Sequence, residues 1–185
     1  AGDTPLGPEV QVIDASGKFL IPGLWEMHAH GAAGGHRELP PLFVTNGVTG
    51  VRTMGGANRQ IVQGFVRMRG EIASGKRLGP RLVVGGLTLV NISNPENGRI
   101  AVRDAVQDGA DFIKVRDGLS RASYFAIADE AKKSGKTFAG HVSSEVSLED
   151  CVAAGQKSLE HVASVLGYLR SLIDSAGPPD ARSLT

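Results

Sequence analysis

The feature of this sequence that most limits what it can fold into is a rhythm. Short apolar runs alternate with amphipathic stretches along the chain, and glycine or proline marks the changes; glycine alone supplies 25 of 185 residues. The apolar runs read as strands buried on both faces, and the stretches between them place apolar residues at three- and four-residue steps, as helices do. The pattern predicts an extended piece near Glu9–Ile13 and a buried strand from Phe19 to Met27 leading into His28. A short helix near Leu39–Thr45 and a strand over Val48–Met54 follow. A helix at 61–73, with Ile61, Phe65, Met68 and Ile72 on one stripe, precedes a strand at 81–84, and a helix at 97–107 precedes one at 111–115. A helix at 122–133, closed by Gly135, leads to a fifth strand at 137–142. A helix at Leu148–Ala154, stopped by Gly155, leads to a sixth at 158–162, and a last helix covers 163–176.

Strands alternating with helices imply parallel pairing, because each helix carries the chain back across the sheet. A doubly wound sheet and a (β/α)8 barrel both fit. The barrel usually needs about 250 residues, so a chain of this length would hold about six of its βα units, an incomplete TIM-type barrel.

Composition narrows the function classes. Twenty Lys and Arg against nineteen Asp and Glu give a net charge of +1, and no run of one sign occurs. Nothing in that balance announces a nucleic acid or an anionic membrane, so the expected partner is a small molecule. The single cysteine, Cys151, cannot form an internal disulfide, and its amphipathic helix assigns it to packing. No apolar run is long enough to span a bilayer. The chain opens without Met, from which a removed targeting segment or a non-native start is expected; the compartment stays open. So does homo-oligomerisation, since an incomplete barrel leaves sheet edges to cover.

The chemistry collects at strand ends. His28 and His30 follow the first strand, His141 ends the fifth and His161 the sixth. In parallel α/β folds the C-terminal strand ends share one rim, so these four converge there. His28 and His30, two apart in extended chain, point to the same side and can chelate one ion. The joint pattern predicts metal binding, whereas a single strand-end histidine more often only hydrogen-bonds at a rim. His36 sits in the glycine-rich loop with Gly31, Gly34 and Gly35 and is not expected to be a ligand. Lys114 alternates with Ile113 and Val115 in a strand expected to be buried on both faces, where a lysine is rare unless paired or functional. Arg52 and Arg116, near strand ends, could clamp a carboxylate, but structural ion pairs are the expected role. Asp117 is expected to be a solvated loop carboxylate. Ser143 and Ser144 lack a nucleophile elbow.

Together these residues resemble a known family. Phe19-Leu20-Ile21-Pro22-Gly23-Leu24-Trp25-Glu26-Met27-His28-Ala29-His30 is similar to the first metal-binding segment of the metal-dependent amidohydrolase superfamily. Asn46 to Gly56 resembles the second strand of its imidazolonepropionase- and Xaa-Pro-dipeptidase-like branch. Gly109 to Val115 resembles the strand carrying a metal-bridging lysine; Ala139 to Val142 and Ala154 to His161 resemble the two single-histidine segments. The resemblance implies a (β/α)8 barrel with two divalent metal ions, usually zinc. His28 and His30 would hold one and His141 and His161 the other, with Lys114, carboxylated by carbon dioxide, bridging them. It implies hydrolysis of amide, dipeptide or cyclic amide bonds by a metal-activated water.

It also implies a metal-binding aspartate after an eighth strand. The chain ends at Thr185 with no counterpart, so no catalytic residue is assigned and a truncated chain is expected. Glu26 and Thr53 also depart from the family pattern. The expected organisation is residues 1–18 as the remnant of a small β-domain, 19–177 as a partial barrel and 178–185 as a tail. The rival readings are the same site acting on a phosphoester or lactone, a Schiff-base lyase using Lys114, and a non-catalytic fragment.

Overall fold

The computed structural model describes residues 7–30 and 39–176. The elements follow in the order β1 (Leu24–Ala29), α1 (Leu39–Thr45), β2 (Val48–Thr53), α2 (Arg59–Ala73), β3 (Arg81–Val84) and α3 (Pro95–Gln107). Then come β4 (Phe112–Val115), α4 (Arg121–Lys133), β5 (Thr137–Gly140), α5 (Leu148–Ala154) and α6 (Val162–Ala176). Each helix that follows β2 to β5 begins on a side-chain cap. Asn58, Asn94, Ser120 and Ser147 each accept a first-turn backbone N–H, which fixes where the preceding loop ends.

The strands pair in parallel and in chain order. β1 pairs with β2, β2 with β3, and β4 with β5. Parallel bridges Gly85 to Phe112 and Leu89 to Val115 join the two groups, and Gly140 to Leu159 adds the segment after β5. A doubly wound sheet reverses its strand order at a switch point. No reversal occurs among the described residues, so the order is that of a barrel wall, and these residues do not close it.

Alternation along each strand separates two packing faces. Val51, Leu82 and Val84 turn outward onto Val62 and Phe65 of α2. Ile113, Val115 and Phe138 turn outward onto Val102, Tyr124 and Ile127 of α3 and α4. Phe112 faces the other way and meets Met54 and Ala139. Lys114, two residues on, shares that inner face.

Three expectations need correction. Phe19 to Gly23 is not strand, and Phe19 and Leu20 are each 98% exposed. Leu24, the first strand residue, pairs with Val48, the first of β2, so the residues before it have no neighbouring strand to bond. The extended piece at Glu9–Ile13 likewise forms no strand, and residues 7–23 are exposed.

The sixth strand reduces to the single bridge at Leu159, with His161 in the left-handed region (φ 68°) and Val162 starting α6. Its neighbour β5 ends at Gly140, which takes a φ of 149° against β4. A Cβ there would fall 1.9 Å from the Val115 carbonyl oxygen, so glycine is needed. The 178–185 tail and His36 with its loop lie outside the described residues.

Two outcomes follow. Ile127→Ala, at a fully buried site, should cost about 2–5 kcal/mol in urea unfolding, whereas exposed Val152→Ala should stay within about 0.5 kcal/mol. In the capping box of α5, the Arg121 guanidinium, helped by the Ser147 N–H, holds the Asp150 carboxyl below its ordinary 3.8. The folded state then binds fewer protons than the unfolded one just below pH 3.8. This stabilisation is complete above that value and is lost as pH falls through the lower, folded value. Asp150→Asn should therefore flatten the acid-side drop in the urea midpoint.

Candidate metal centre

β1 delivers His28 and, just past its end, His30; the loop after β5 delivers His141; the turn before α6 delivers His161. Nothing in the chain links these segments locally, yet their rings meet. The Nε2 atoms of His28 and His30 stand 3.1 Å apart. The ring centroid of His161 lies 4.8 Å from that of His28 and 4.7 Å from that of His141. The four imidazoles form one continuous chain, His30, His28, His161, His141.

Close rings cannot all be cations. Burial, and after it the charges of His28 and Lys114, hold His30 below its ordinary pKa of 6.5. Burial and the charge of Lys114 do the same to His141, against the opposing hydrogen bond that its Nδ1 makes to the Asp117 carboxylate. Both are therefore mainly neutral near pH 7, the form that donates a lone pair to a metal.

Beside them lies Lys114, 1% exposed, its Nζ meeting no hydrogen-bond partner among the described residues. Burial is the main cause that pulls its pKa down to about 8; Arg52 and Arg116 add to the shift, while Glu160 and Asp117 oppose it. Lys114, His30, His141, His161, Thr88 and Arg116 help to line a cavity of about 390 Å³.

Glu160 is the residue that reading the sequence missed. Its carboxylate accepts from His28 Nδ1 at 2.6 Å, from Arg52 at 2.6 Å and from the Ser158 hydroxyl at 2.6 Å. Burial alone would raise its pKa, but the hydrogen bonds from Ser158 and His28 and the charge of Arg52 outweigh that and hold it low. Arg52 also donates to the Met27 carbonyl at 2.7 Å and the Ser158 hydroxyl at 2.9 Å, so its expected ion pair is present and spans three segments. The only sequence signal for Glu160 is a carboxylate inside an apolar strand pattern, directly before His161. Asp117, 55% exposed at its side chain, is as solvated as expected and also contacts His141 Nδ1 at 3.2 Å. Arg116 pairs with Asp117, and the buried Ser143 is bonded to the Leu119 backbone.

The donors suit a divalent metal in kind. Imidazoles converge, carboxylates contact two of the Nδ1 atoms, and among the described residues the buried Lys114 amine meets no hydrogen-bond partner. Even so, among the described residues no three His, Cys, Asp or Glu side chains surround a common point as a set able to hold an ion, and His28 and His30 face each other. Loading would have to turn these rings.

No protein-family model matches the chain, and no curated protein sequence does. Solved structures do. The "putative prolidase from Bifidobacterium longum" superposes with a TM-score of 0.70 at 27% identity, covering 86% of this chain and 44% of that one. Bottromycin amidohydrolase superposes with a TM-score of 0.67 at 22% identity, covering 80% of this chain and 38% of that one. The chain thus has an α/β fold similar to that of both structures and spans less than half the length of either.

If Glu160 holds Arg52 and His28 together, Glu160→Gln should lower unfolding stability by about 3 kcal/mol, because it leaves a largely buried guanidinium unpaired. Pairing it with Arg52→Met should cost less than the sum of the single changes, as read in a double-mutant cycle of urea midpoints.

Proposed function

We propose that this chain carries the metal-binding part of a hydrolase that cleaves amide bonds, with His28, His30, His141 and His161 as ligands and Lys114 as a carboxylated bridge. The observation that carries the reading is the partnerless Lys114 Nζ, buried beside four clustered histidines. A buried cation without a counter-charge is costly, and a lowered pKa makes the neutral amine accessible. The neutral amine can add to carbon dioxide and release one proton, giving an anionic carbamate. The name borne by the 27% identical Bifidobacterium longum structure points to the same class of reaction.

When bound, two divalent ions, zinc being the expected choice, would supply an acidified water and a polarised carbonyl. The chain's own side chains do the rest. Glu160 accepts from His28 Nδ1, which holds the ring in one orientation. Asp117 does the same for His141 through Nδ1. Arg52 holds Glu160 in place and keeps it ionised. The cavity walls from Thr88, Val90 and Arg116 restrict what reaches Lys114.

Elemental analysis of the chain purified without chelator should find close to two zinc-like ions. Carbon-13 NMR with labelled bicarbonate should show a carbamate signal that Lys114→Ala abolishes, and a panel of dipeptides and N-acyl amino acids should be hydrolysed. Metal content near zero after incubation with zinc and bicarbonate would overturn the reading.

A further inference from the structure

We propose that Gln156 is a positioning residue that sets the spacing between the two single-histidine segments, standing in for the sheet pairing that the sixth strand lacks. Only a short ladder ties that segment to β5. Its bonds are Lys157 N–H to Phe138 O at 2.9 Å, Gly140 N–H to Ser158 O at 3.2 Å and Glu160 N–H to Gly140 O at 2.9 Å. Both histidines project beyond it. His141 has already crossed to bond the Val115 carbonyl through its N–H, and His161 turns left-handed.

The Gln156 side chain reinforces the ladder where it ends. Its Nε2 donates to the Gly140 carbonyl at 2.9 Å and to the Ser158 carbonyl at 3.0 Å. Gly140 directly precedes His141, and Ser158 bonds Glu160 and lies three residues before His161. One amide group therefore grips both segments beside the ladder's last bond, from Glu160 N–H to the Gly140 carbonyl.

The amide cannot turn over freely. Its Oε1 accepts the Tyr124 hydroxyl at 2.5 Å, and Tyr124 is fully buried among Phe138, Ile127 and Cys151. An inverted amide would aim its oxygen at two carbonyl oxygens and its N–H groups at a hydroxyl. The core thus orients the hydroxyl, the hydroxyl orients the amide, and the amide sets the segments whose rings stand 4.7 Å apart. A Leu or Val at position 156 could not donate to either carbonyl.

The test compares Gln156→Leu with Val62→Ala, a buried core change in the separate cluster under α2 that does not pack on Tyr124. In the metal-free full chain, the imidazole nitrogen-15 resonances of His141 and His161 should broaden or shift in Gln156→Leu and stay as in the wild type in Val62→Ala. Cobalt(II) titration followed by its visible absorption should show affinity at least about tenfold weaker in Gln156→Leu and unchanged in Val62→Ala. Tyr124→Phe, which releases the oxygen end only, should give a smaller change in the same direction. Unmoved histidine resonances in a folded Gln156→Leu would overturn the proposal and leave Gln156 as a structural tie. The cobalt readout rests on the metal-centre reading, and the resonances do not. A wild type that takes up no cobalt therefore defeats that reading alone, and the resonances still decide the role of Gln156.

Discussion

A buried carboxylate needs partners, and in this protein that requirement joins segments that no strand pairing connects. Glu160 is held by Arg52 from β2, by His28 from β1 and by Ser158 beside it. Arg52 in turn grips the Met27 carbonyl. Side-chain hydrogen bonds thus link the first two strands to the segment after β5 across the inner face of the wall. The same contacts orient His28, so one ion pair serves the fold and the site together. Its cost when broken is expected to be high because both side chains are largely withdrawn from water.

Lys114 is the counterweight. The wall places Phe112 and Lys114 on the inner face, and among the described residues the amine meets no hydrogen-bond acceptor. An isolated domain selected only for stability would place an apolar residue there. Keeping an amine at that depth, with its pKa drawn down to about 8 mainly by burial, conflicts with the local packing, and such conflicts concentrate at sites of chemistry. The lowered pKa values of His30 and His141 belong to the same design, since burial and the neighbouring charge of Lys114 act on both.

How much of this was legible in the sequence varied with what each element depends on. The helices were readable because amphipathic spacing and caps are local: α1 and α5 have the predicted bounds, and α2, α3 and α4 begin within two residues of them. Strands β2 to β5 were found for the same reason. The errors fall where a strand needs a neighbour. Phe19 to Gly23 has the apolar pattern of a strand, but β2 does not reach alongside it; residues 158–162 have it too, but β5 ends at Gly140. The apolar positions of α6, among them Leu166, Leu169 and Ile173, follow helical spacing, yet they stand exposed. Periodicity reports which face of an element is apolar, and it does not report whether a second layer covers that face.

By itself the sequence determined the parallel α/β rhythm, the placement of His28, His30 and His141 at the ends of β1 and β5, and the burial of Lys114. Each of these follows from side-chain alternation within a few residues. Tertiary structure decided what distance along the chain conceals. The strand order runs without reversal, Glu160 sits between Arg52 and His28 more than a hundred residues away, and Gln156 reaches the carbonyl that precedes His141. Hydrogen bonds between remote segments carry no period that a local pattern can register; they exist only once the wall has brought those segments to one face.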